Sequence, residues 1–150
     1  MLDARAFSFS GVIMELIRLS AQFYTQYANC KEILTKPSRP YVCITVTING
    51  RLFAIPIRHH IKHKYCFRTG VESGLDYTKA VVITNPNFII RGNVRIDQAE
   101  YNMIKGQDKK IEKGMTDYIK IYKKAMQYPN NQHYTSIRAC SALQYFERYI

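Results

Sequence analysis

Between Glu32 and Glu72 the chain has no acidic residue, while Lys36, Arg39, Arg51, Arg58, Lys62, Lys64 and Arg68 fall there together with His59, His60 and His63. The sequence also lacks a Cys-x-x-Cys pair, a glycine-rich nucleotide loop and any long apolar run. Each absence removes a class of protein. The cysteines at 30, 43, 66 and 140 are widely spaced and sit mostly in apolar context, which reads as reduced thiol in a cytoplasmic protein, not a disulfide framework or a zinc knuckle. Without a glycine loop the kinase, NTPase and dinucleotide-binding readings drop out. Without a long apolar run there is no membrane-spanning helix to expect.

The 150 residues, 47% of them hydrophobic and 13% aromatic, suffice for one folded domain with a real core. Lys and Arg total 22 against 11 Asp and Glu, a formal charge of +11, and that excess points to a polyanionic partner. Residues 1–13 lack the basic start and apolar core of a signal peptide. They are expected to be an extension of doubtful importance, with Met14 a plausible alternative start, preceding a single domain over 14–150.

Glu15 to Leu19 alternates as a half-buried strand does, and Ser20 suits the N-cap of a helix over AQFYTQYA. The loop KEILTKPSRP follows. In YVCITVTINGRLFAIPI two β-branched runs flank Asn49-Gly50, the pattern of a two-residue hairpin, and Pro56 should end its second strand or mark a sheet edge. Strands are expected over Lys64 to Arg68, Ala80 to Thr84 and Phe88 to Ile96. Asp97 can cap QAEYNMIK. Ile111, Met115, Tyr118, Ile119, Tyr122 and Met126 recur at helical spacing, Pro129 ends that helix, and TSIRACSALQYFERYI supplies another. Strands before Ile96 and helices after it predict an α+β fold: a mostly antiparallel, twisted sheet or partial barrel with helices packed outside.

The chemistry concentrates in IPIRHHIKHKYCF, residues 55–67. His59 and His63 would share a face of a helix, with His60 close by, but hard-metal nuclease sites need oxygen ligands and this window has no carboxylate, so no metal or other cofactor is expected. Metal-free RNA cleavage fits the residue types. The substrate's 2′-hydroxyl attacks the adjacent phosphorus and expels the 5′-oxygen, which requires a base, an acid and cations for the phosphorane charge. Histidine suits the first two roles and Arg or Lys the third. A loop that contacts RNA backbone without cutting it satisfies the same composition, and His63 or Tyr65 can be structural where a strand resumes. Residue types therefore stop at an RNA binder or a metal-independent ribonuclease acting on RNA only.

In order, MELIRLSAQFYTQY, KPSRPYVCITVTINGRLFAIPI, RHHIKHKYCF and SALQYFERYI resemble the toxins of type III toxin–antitoxin systems, the ToxN, AbiQ, TenpN and CptN group, and most closely the CptN/TenpN branch. The likeness runs from about Met14 to the C-terminus and is strongest over Arg39 to Phe67. It implies a sequence-preferring, metal-independent endoribonuclease with a sheet related to MazF and Kid, acting on cellular mRNA. It also implies inhibition by a small repetitive pseudoknot RNA, bound in a closed assembly with two or more toxin copies, with no membrane or DNA partner. Relatives often place Thr-Ser followed by Lys after the hairpin; the matching positions here are Arg58, His59, His60 and Lys62. Histidines thus stand where many relatives have hydroxyl residues; His59 or His60 is expected to act as base or acid, with Arg58 and Lys62 stabilising the phosphorane charge. Ser20, Phe23, Tyr24, Lys36, Arg39 and Lys64 are the expected RNA contacts, Phe23 and Tyr24 stacking on bases. The alternative remains a non-catalytic basic RNA-binding or ribosome-associated protein.

Overall fold

A computed structural model of the chain describes residues 14–34, 41–92 and 94–150 in full, and residues 2–3 and 6–7 as backbone. The chain is α+β. Strands β1 (Leu2–Asp3), β2 (Ala6–Phe7) and β3 (Met14–Leu19) lead into helix α1 (Ala21–Gln26). Strands β4 (Val42–Ile48) and β5 (Arg51–Arg58) form the central hairpin, followed by β6 (Cys66–Arg68), β7 (Gly74–Asp76), β8 (Val81–Val82), β9 (Ile89–Ile90) and β10 (Arg95–Ile96). Helices α2 (Gln98–Ile104), α3 (Asp108–Gln127) and α4 (Gln132–Cys140) make the C-terminal part helical. The antiparallel sheet has the order β2-β3-β4-β5-β7-β6, with β8 on β5 and β9 on β3, and β1 pairs separately with β10.

The hairpin turns at Asn49 and Gly50, whose φ angles of 51° and 76° are the left-handed pair that a two-residue turn matched to strand twist demands. Its strands bury Ile44, Val46, Phe53 and Ile55, each contributing about 1.5–3 kcal/mol when fully removed from water. Helix α3 covers this sheet with Ile111, Met115, Tyr118, Ile119, Tyr122 and Ala125, while Met126, assigned to the same stripe from spacing, is only half-buried. Its lysines at 109, 110, 113, 120, 123 and 124 all face outward.

Four local expectations are corrected. Strand β5 does not stop at Pro56 but runs two residues further, because its flank away from β4 changes partner there: Phe53 and Ala54 pair with β8, Ile57 and Arg58 with β7. Pro56 sits in the gap between the two pairings, where no ladder bond is lost. The expected strand Phe88 to Ile96 is two short strands, the chain turning between them at Gly92 with φ of 97°. The C-terminal helix breaks at Ser141, which is extended and whose hydroxyl accepts the Leu143 N–H at 3.2 Å, the competing local bond that makes serine a helix start. Strand β7, absent from the sequence reading, is a three-residue Gly-Leu-Asp segment with little strand propensity of its own.

That segment works because of its glycine. Gly74 pairs with Arg58 on one side and Arg68 on the other, and a Cβ placed there would lie 2.1 Å from the Phe67 carbonyl oxygen. The obstacle is backbone and cannot rotate away. Gly74→Ala is therefore expected to destabilise the chain by about 3 kcal/mol, the upper end of the usual overpacking cost. Urea denaturation measures it, and a loss below about 1 kcal/mol would mean that β6 and β7 part easily.

Candidate functional site

Strand β5 ends at Arg58, and the chain then bends through His59 and His60 before Ile61 returns to the core, its N–H donating to the Glu72 carbonyl at 2.7 Å. Arg68 braces this turn from below. Its Nη1 donates to the Ile61 carbonyl at 2.9 Å and its Nη2 to the His63 carbonyl at 2.8 Å. His60 adopts φ of 61°, an uncommon left-handed conformation for a residue with a side chain, and one that histidine tolerates better than most.

The hub beneath the turn is Asp76, whose side chain has no exposed surface. Its Oδ2 accepts from Arg58 Nη1 at 2.6 Å. Its Oδ1 accepts from the Thr78 hydroxyl at 2.6 Å and the Thr78 N–H at 2.9 Å, and lies 3.2 Å from His63 Nε2. The Tyr65 N–H donates to His63 Nδ1 at 3.1 Å, so the neutral ring carries its proton on Nε2, facing Asp76. A buried carboxylate is tolerated when donors of this kind satisfy it.

The other two histidines also meet carboxylates, both remote in sequence from the histidine stretch or beyond its edge. His59 Nε2 is 3.3 Å from Glu100 Oε1 on α2, and His60 Nδ1 is 3.4 Å from Glu72 Oε2. Their side chains are 68% and 86% exposed, open to a ligand. Burial holds the Glu100 carboxyl above the usual range, His59 pulling it back and Asp97 adding to the rise. The histidine segment thus lacks carboxylates in sequence but meets them in the fold. Among the described residues no three His, Cys, Asp or Glu side chains are grouped to hold a metal ion.

Arg58 and His63 open onto a cavity of about 340 Å³ that also has Tyr65, Thr78 and Tyr118 in its walls and α4 as its roof. Lys62 is exposed on the turn and has no ion-pair partner among the described residues. Lys64 is exposed too, with its Nζ 5.5 Å from the Tyr65 ring centre.

Residues assigned to RNA contact from the first helix fall elsewhere. Ser20 is the N-cap of α1, its hydroxyl accepting the Phe23 N–H at 3.3 Å. Phe23, expected to stack on bases, is fully buried among Tyr24, Tyr27 and Phe88, so it has no ring face to offer. Tyr24 turns its hydroxyl into a narrow recess with Cys43 and Pro56, where burial raises its pKa to about 12. Lys36 and Arg39 lie outside the described residues. The turn keeps Arg58, His59, His60 and Lys62 together, and the fold adds Asp76, Thr78, His63 and Glu100. Of these only His63 carried a signal, through its spacing, and that signal suggested metal.

The chain matches no family model, no curated protein and no solved structure.

Two variants test this geometry. Asp76→Asn leaves Arg58 without its counterion and sets an amide among four donors. Since Arg58 is 28% exposed, the expected loss is about 2–4 kcal/mol, less than the ~3–5 of a fully buried pair. A loss under about 0.5 kcal/mol in urea denaturation would mean that Asp76 is not the hub. For Glu100 the sign is opposite to that of a salt-bridged acid. Its pKa is raised in the folded state, so its stabilisation is present at low pH and declines as pH rises through the folded value. Glu100→Gln should therefore match or exceed the parent at neutral pH and flatten that decline, as thermal unfolding across acidic to neutral buffers would measure.

Proposed function

We propose that this chain is an endoribonuclease that cleaves RNA by attack of the substrate's own 2′-hydroxyl, leaving 2′,3′-cyclic phosphate and 5′-hydroxyl ends without a metal ion. The observation that carries the reading is the turn after β5, which presents two exposed, carboxylate-backed imidazoles between Arg58 and Lys62. In a chain of formal charge +11 such a turn meets RNA phosphate readily.

In this mechanism one imidazole, His59 or His60, takes the proton of the 2′-hydroxyl as its oxygen bonds to phosphorus. The other, as imidazolium, gives its proton to the 5′-oxygen as the bond from that oxygen to phosphorus breaks. A carboxylate behind each ring orients it, so Glu100 and Glu72 act as positioning residues. Lys62, exposed and without an ion-pair partner among the described residues, meets the phosphorane charge. Arg58 keeps Nη1 on Asp76, so only the rest of its fork is left for phosphate.

The strain at His60 supports the same turn, since left-handed residues with side chains gather where function holds them. The resemblance to type III toxins extends the proposal to a bacterial toxin with a MazF- or Kid-like sheet, neutralised by a repetitive pseudoknot RNA. Short tandem repeats in the DNA upstream of the reading frame would support that extension.

The test is incubation of purified protein with RNA in excess chelator. Cyclic-phosphate ends are expected, with DNA of the same sequence left intact. His59→Ala and His60→Gly, the latter relieving the positive φ while deleting the imidazole, should each slow cleavage by about 10²–10⁴ without loss of stability. Products with 3′-hydroxyl ends, or activity lost to chelator, would overturn the mechanism. Intact RNA bound in a salt-sensitive manner would leave the non-catalytic RNA-binding reading in its place.

A further inference from the structure

Helix α4 lies along α3, yet no residue on it is buried. Its ends are fixed. Lys79 Nζ donates to the Cys140 carbonyl at 2.9 Å, and Arg138 grips Glu147 with two bonds of 2.7 Å while Tyr122 donates to the same carboxylate. At the other end Tyr134 stacks on Tyr128, ring centres 5.7 Å apart. His133, Ser136, Ile137 and Cys140, at i, i+3, i+4 and i+7, share one stripe of the helix. That stripe roofs the cavity of about 340 Å³.

We propose that this cavity binds one unpaired nucleotide of RNA, the base lying against Tyr65 and Ile137 and the phosphate meeting Arg58, Lys79 and His133. The proposal deepens the nuclease reading and rests on it for the identity of the polymer. The volume is at the small end of ligand pockets, about 300–1,000 Å³, which suits a single nucleotide. Its walls supply aromatic and aliphatic faces for a flat ring, as unpaired RNA bases require. Its rim supplies cations.

The same cavity opens onto Arg58 and His63, so a base held there sets which phosphate reaches the turn after β5.

The test uses the full chain and the four ribonucleoside monophosphates, with ribose 5-phosphate and inorganic phosphate as controls. Cys140 lies at the cavity wall and is the exposed cysteine of the four, so its alkylation by iodoacetamide, followed by mass spectrometry, reports occupancy. At least one nucleotide should slow that alkylation several-fold and bind one-to-one by calorimetry, whereas neither control should do so. Ile137→Trp, which fills the space from an exposed helix, should abolish binding while leaving the thermal midpoint within a degree or two. The proposal is overturned if no nucleotide binds or protects, if ribose 5-phosphate protects equally, or if Ile137→Trp binds as the parent does. These readouts involve no scissile bond. A protein that binds nucleotides but leaves RNA intact keeps the pocket and loses the nuclease; one that cuts RNA and binds no nucleotide does the reverse.

Discussion

One buried carboxylate organises this end of the molecule. Asp76 gathers Arg58 from β5, His63 from the following turn, and the amide and hydroxyl of Thr78 from the short 3-10 segment after β7. Taking an ion out of water costs several kcal/mol, and the cost is offset only when the surrounding donors are correctly placed. Because the donors belong to three separate segments, satisfying the carboxylate fixes those segments relative to each other. Gly74 lies upstream of this constraint, since it lets β5, β7 and β6 close to pairing distance and so sets the register of Asp76. Arg68, holding two carbonyls of the turn, keeps the loop from relaxing away from the hub.

The histidines of the acid-free stretch are not acid-free in space. Glu100 comes from α2, Glu72 from the connection before β7, and Asp76 from β7, one for each ring. The pairing separates the rings into two kinds. His63 is drawn inward, its two nitrogens occupied by Tyr65 N–H and Asp76, and it shapes the cavity wall. His59 and His60 stay out in solvent, each with a carboxylate at one nitrogen and no partner at the other among the described residues.

How far the sequence could lead follows from the range of each interaction. The β4–β5 hairpin and the α3 stripe were legible because their determinants are local: Asn49-Gly50 for the turn, and the repeat Ile111, Met115, Tyr118, Ile119, Tyr122 for the face. The clustering of Arg58, His59, His60 and Lys62 was legible for the same reason, being contiguous on one turn. Asp76 was not, because its role depends on the pairing of a three-residue strand that Gly-Leu-Asp does not advertise. Spacing alone could not say that Phe23 faces the core or that Pro56 falls between two partners of β5. Nor could the periodicity after Pro129 show that Ser141 would end a helix and leave its inward stripe over a cavity.

The central claim is that Asp76 holds the histidine turn in one arrangement, and the protonation pattern of His63 reports it directly. Long-range nitrogen–proton correlation NMR on the neutral imidazole should find the proton on Nε2, toward Asp76, with Nδ1 bare and accepting from Tyr65. A proton on Nδ1, or the averaged tautomers of a free histidine, would contradict the account.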